Sequence, residues 1–176
     1  MKKIFVTLLF ISACLLSGNS FAQATIKLGH IDSQALLAAM PESDTAQKQY
    51  DREASEAQKT LEEIQKEFNV KYEDYLKLRN DPSTSQLILS TKEEELTTLN
   101  QRLQNFQQTA QETLNNRRIE LYNPIQEKAL KAVQDVAAAN GFTYIFDVAP
   151  GVGSVVYKSP DSQDIMPLVK AKLGLK

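Results

Sequence analysis

The residues able to do chemistry are few and poorly placed for it. His30 is the sole histidine of the 176-residue chain and Cys14 its sole cysteine, so no His/Cys set with metal-ligand spacing can form. A base role for His30 would need an orienting carboxylate, and Asp32, two residues on, is better read as the cap of a following helix. His30 is therefore expected in a strand at the edge of the core. Gly151 and Gly153 bracket Val152 with no helix N-terminus after them, which suits a connection between two strands and not a phosphate cradle. The carboxylates Glu62-Glu63 and Glu93-Glu94-Glu95 have no apolar pocket to raise a pKa for general-acid work and read as charged helix surface. Arg117 and Arg118 beside Glu120 fit ion pairs at the base of a helical arm, with weak contact to an anionic membrane surface as the other use. No catalytic, cofactor-binding or metal-binding residue is assigned, no cofactor is implied, and an enzyme is not expected.

The elements that carry these residues are dominated by the stretch 43–140. Tyr50, Ala54, Ala57, Leu61, Ile64, Phe68, Lys71, Tyr75 and Leu78 alternate at spacings of four and three, an apolar stripe with one charged exception. After Asn80-Asp81-Pro82-Ser83-Thr84 the periodicity resumes at Leu96, Leu99, Leu103, Phe106, Ala110 and Thr113. This predicts two antiparallel helices, starting at Ser43 or Asp44 and at Ser85, that fold back at a tip over 80–85. The second helix is the longer, and its surplus should run back into a body, kinked at Pro124 where arm meets body.

Outside the arm the grammar is that of strands. The segment 25–31 alternates as a strand and 34–39 as a short helix stopped by Pro41. Strands are expected at 142–148 and 154–158, joined through 149–153, before a last helix carrying Ile165, Leu168, Val169 and Leu173 with Pro167 in its first turn. Strands at both sequence ends around a helical middle should meet in one small sheet. The fold class is α+β: a discontinuous body over 25–42 and 123–176, used for oligomerisation, with a long coiled-coil hairpin arm over 43–122. A body of about 50 residues has little core of its own, so an oligomer is expected.

Residues 1–24 read as a secretory signal peptide, with Lys2 and Lys3 before a short apolar run and small residues at Ala22 and Ala24. A lipobox-like Ile11-Ser12-Ala13-Cys14 leaves a lipid-anchored envelope form as the alternative to soluble export. The chain has 20 basic and 22 acidic residues, interspersed without a basic block, which argues against nucleic acid as a partner. In the outer half of the arm, Phe68, Tyr72, Tyr75, Leu76, Leu87 and Ile88 exceed what a two-helix seam needs. Tyr72, Leu76 and Ile88 are expected to stay partly exposed, as a diffuse apolar surface able to hold unfolded polypeptide.

The opening Ile26-Lys27-Leu28-Gly29-His30-Ile31-Asp32, the hairpin with its internal Asn123-Pro124-Ile125, and the ending Gly141-Phe142-Thr143-Tyr144-Ile145-Phe146-Asp147 with Val155-Val156-Tyr157 together resemble the OmpH/Skp family of periplasmic chaperones. The resemblance implies a jellyfish-like homotrimer, with a β-rich body and three helical tentacles around a cavity. It implies that Ile26, Leu28, Ile31, Tyr144, Phe146, Val155 and Tyr157 belong to the body and its intersubunit packing. It implies an ATP-independent holdase that binds unfolded outer-membrane β-barrel proteins and prevents their aggregation. This chain departs from the family pattern in being acidic: Lys66, Lys71, Lys77 and Arg79 are offset by Glu67, Glu73, Asp74 and Asp81. Capture should therefore lean on apolar contact more than on steering. A structural or adaptor coiled coil of the cell envelope is the alternative function.

Overall fold

The computed structural model describes residues 26–151 and 155–175. The expected export signal with Cys14, and Ser154 of the expected second C-terminal strand, lie outside these residues. Strand β1 (Leu28–Ile31) leads into α1 (Ser33–Ala38), whose N-cap Asp32 accepts the Ala35 amide at 2.9 Å. The first arm helix, α2 (Pro41–Arg79), begins at Pro41 itself and not at Ser43 or Asp44. Proline has the φ of a first helical turn and lacks an N–H that would be unpaired there, so Pro41 starts a helix instead of only ending one.

The chain turns over 80–85, where Asp81 Oδ1 accepts the Ser83 amide and hydroxyl at 2.9 and 2.7 Å. Ser85 then caps α3 (Gln86–Ala139). With 54 residues against 39, α3 is 15 residues longer than α2. The surplus lies in the body, where Ile125, Ala129, Ala132 and Val136 join Ile31, Leu36, Met40, Ala46, Ile165 and Val169 in one buried core. The helix runs through Pro124 without interruption. It ends at Ala139, and the φ of 68° at Gly141 lets the Phe142 amide reach the Ala137 carbonyl at 3.0 Å.

Every position of the α2 stripe from Tyr50 to Leu78 is half-buried or buried, and Ile64 is 3% exposed. The α3 stripe holds as far as Ala110 but then steps by four to the half-buried Leu114, leaving Thr113 exposed. A leucine at the neighbouring position simply outcompetes threonine for the dry side.

The sheet differs from expectation at its C-terminal end. Strand β2 (Tyr144–Asp147) and strand β3 (Gln163–Asp164) both pair parallel to β1, in the order β2-β1-β3. Among the described residues no hairpin follows β2, and 155–158 is not a strand. The edge of β1 is instead occupied by the two residues that precede Ile165, which is fully buried and donates its amide to the His30 carbonyl at 3.0 Å. Anchoring Ile165 and Val169 in the core, with α4 (Met166–Leu173), decides which residues reach that edge. Asp164 Oδ1 accepts the Met166 amide at 2.8 Å, and Pro167 sits in the first turn.

Candidate functional site

His30 is the buried polar residue of the body, 5% exposed. Lys158 Nζ lies 2.9 Å from its Nε2, and an ammonium can only donate, so Nδ1 carries the ring proton and donates to Ser162 Oγ at 2.8 Å. Both ring nitrogens are thereby occupied in fastening the 155–162 segment over β1, which is a structural role. Among the described residues no group of His, Cys, Asp and Glu is arranged to hold a metal ion.

Two exposed apolar surfaces remain. The first is on the outer half of the arm. Tyr72, Leu87 and Ile88 are exposed, Leu87 to 77%, while Phe68 and Leu76 are half-buried. The Phe68 and Tyr72 rings stack with centroids 6.1 Å apart and planes 5° from parallel, one helical turn apart on α2. Tyr75 differs from the other candidates. It is buried in the seam, and its hydroxyl donates to Glu93 Oε1 at 2.6 Å. That bond to a carboxylate, with burial behind it, pushes the phenol pKa up. Val70, also exposed, escaped the sequence reading because it lies off the stripe.

The second surface is one face of the sheet. Leu28, Tyr144 and Phe146 alternate with residues that face α3, and Leu28 is in register with Tyr144. Ile26, Leu28, Tyr144 and Phe146 are all exposed, and the Tyr144 and Phe146 rings lie 6.3 Å apart. Ile31 points the other way into the core of its own chain. Val155 is half-buried and Tyr157 exposed, both outside any strand. Exposed Ile119 and Leu130 on α3 were not anticipated.

Ion pairs cross between the two helices along the rim of the apolar seam. Lys71 reaches Glu95 at 3.4 Å, Arg102 reaches Glu67 at 3.6 Å, Arg117 reaches Glu53 at 3.0 Å, and Lys128 pairs with Glu42. The charged exception in the α2 stripe is thus a lysine whose stem lies in the seam and whose head bridges out of it. Glu93 and Glu95 are likewise bridging groups and not only helix surface. Lys92, at 3.0 Å, with the charge of Lys71, holds the Glu95 carboxylate below its ordinary pKa. Arg117 also pairs with Glu120 at 2.7 Å, as expected for the base of the arm. Among the described residues no helix is long and apolar enough to cross a membrane.

A small sheet carrying a two-helix arm, with apolar faces on both and buried polar groups committed to structure, is an architecture for binding. The comparison with curated proteins finds no match. The family model described as outer membrane protein (OmpH-like) matches residues 27–173, and by that match the chain belongs to the OmpH-like family.

Proposed function

We propose that this protein is an ATP-independent holdase chaperone of the periplasm, which keeps unfolded outer-membrane β-barrel proteins soluble by binding them between its arms. It acts by binding alone, without a catalytic residue or cofactor. The observation that carries the reading is family membership across 27–173 in a chain whose arm closes its own seam and still leaves Tyr72, Leu87 and Ile88 exposed. Scattered apolar contacts of this kind are individually weak and indifferent to sequence. Many of them act together on a long unfolded chain, which can nevertheless exchange and leave without an energy source.

The exposed sheet face supports self-association through Ile26, Leu28, Tyr144 and Phe146, in a trimer whose three arms surround the client. Tyr157 and Val155 lie at the margin of that assembly. Pro124, at the start of the body segment of α3, is the pivot about which each arm leans. Phe68, Tyr72, Leu76, Leu87 and Ile88 are the client contacts, whereas Tyr75 supports them from the seam.

The deciding experiment is light scattering of a urea-unfolded outer-membrane β-barrel protein diluted out of urea with and without the purified mature chain. A particle of about three times the monomer mass that holds the client in a soluble complex is expected. Precipitation of the client at the same rate in both samples sinks the holdase reading and leaves the adaptor role.

A further inference from the structure

We infer that the side of α3 between Gln101 and Asn115 is a charge-indifferent docking strip for extended polypeptide, gripping the backbone of the client and not its side chains. The inference rests on the holdase reading and adds the chemistry by which clients are held. From Leu96 to Asn116 only Arg102 and Glu112 are ionisable, in a chain otherwise dense in charge. Gln101, Gln104, Asn105, Gln108 and Asn115 recur there away from the seam that buries Leu99, with Gln111 at the seam's margin beside Ala54, Ala57 and Leu61, and all six are exposed.

The contrast with α2 is chemical. There Gln47, Gln58 and Gln65 donate to Asp51, Glu62 and Asn69, four residues on, at 2.7, 2.9 and 3.1 Å. Among the described residues the six amides of α3 have no such partner. A primary amide carries two donors and an acceptor, so it matches both the N–H and the C=O of any peptide group. It bears no charge, so it neither selects nor repels a client by charge. The fourteen steps of helix from Gln101 to Asn115 rise about 21 Å, which accommodates roughly six residues of extended chain. Gln101 and Asn105 also border a shallow groove of 450 Å³ with Thr98, Arg102, Phe106 and Thr109. The charge of Arg102 at that groove is met by Glu67 at 3.6 Å. Each amide contact replaces one with water and is weak on balance, as a holdase requires.

The test is the affinity of the intact mature protein and of the triple variant Gln101→Ala/Asn105→Ala/Gln108→Ala for a urea-unfolded outer-membrane β-barrel protein. It is run at low and high salt, with an uncharged unstructured peptide and its alternately N-methylated form as competitors. Alanine preserves the helix at these exposed positions. We expect wild-type affinity to be insensitive to salt, the triple variant to bind about tenfold more weakly, and the N-methylated peptide to compete about tenfold less well. Equal binding by the triple variant, or loss of wild-type binding with salt, overturns the strip while leaving the holdase reading intact. A change in assembly mass in the triple variant shows instead a contact between copies, and also overturns it. Failure of the wild type to hold the client at all removes the holdase reading and the strip with it.

Discussion

At the scale of single residues, Asp147 ties the end of β2 to the start of α1. Its carboxylate accepts the Ser33 hydroxyl at 2.5 Å and the amides of Ser33 and Ala149 at 3.1 and 3.0 Å. Burial pushes this carboxyl up, but the Ser33 hydroxyl and the two amides together outweigh it and leave the pKa below its ordinary value. A depressed folded pKa contributes stability that is present above the unfolded value, near 3.9, and lost as pH falls through the folded one. Asp147→Asn should therefore cost about 1–2 kcal/mol at neutral pH and flatten the loss of stability below about pH 4, in urea melts at the two pH values. Gly29 is constrained by close approach: a Cβ there would stand 2.8 Å from the Phe142 ring and 3.0 Å from Ile145 Cδ1. Phe142 is in turn covered by the Lys27 ammonium at 4.2 Å, so it has little room to retreat. Gly29→Val is expected to destabilise the body by about 1–3 kcal/mol, and a melting temperature equal to wild type would contradict this packing.

At the scale of elements, the arm has a seam one layer thick, so damage there should stay local. Ile64→Ala removes a side chain that is 3% exposed and should cost about 2–5 kcal/mol, read as faster amide exchange in the middle of α2 and the facing part of α3. Exchange over 125–136, in the body, should not change; uniform acceleration would mean that arm and body unfold as one unit. Pro124 leaves the Glu120 carbonyl without its helical donor inside α3. Pro124→Ala should raise the melting temperature and narrow the spread of tip-to-tip distances between spin labels in the assembly. An unchanged spread would remove the pivot role proposed for this residue.

At the scale of the whole molecule, the two exposed apolar surfaces are assigned different jobs and can be separated. Tyr144→Ser/Phe146→Ser should lower the mass of the assembly, because the two rings dominate the open sheet face. Leu87→Ser/Ile88→Ser should leave that mass unchanged and weaken client retention several-fold, measured by the same light scattering. If the tip variant holds clients as well as wild type, the outer arm is not the contact surface. Bridging pairs from Lys71–Glu95 near the tip to Lys128–Glu42 at the base line the rim of a seam that is closed by apolar packing.

The helices, their tip and the caps Asp32 and Ser85 were legible because each depends on neighbours within a turn or two. The four-three spacing in α2, Asp81-Pro82 with Ser85, and Asn140-Gly141 each state their own geometry. The meeting of the two sequence ends in one sheet was also readable, from strand-like composition on either side of a helical middle. What the tertiary structure alone decided are choices between near-equivalent neighbours. Tyr75 lies on the four-three stripe and Tyr72 off it, so their sides are legible, but that the Tyr75 hydroxyl ends on Glu93 of the returning helix, and not on the neighbouring Glu94, is decided by the tertiary structure. Val155 and Tyr157 are good strand formers, yet the polar pair Gln163–Asp164 takes the free edge of β1, because Ile165 beside it fills a core built largely by α3. Local periodicity is written in the order of residues, whereas burial is shared among segments more than a hundred residues apart, and the deeper burial wins.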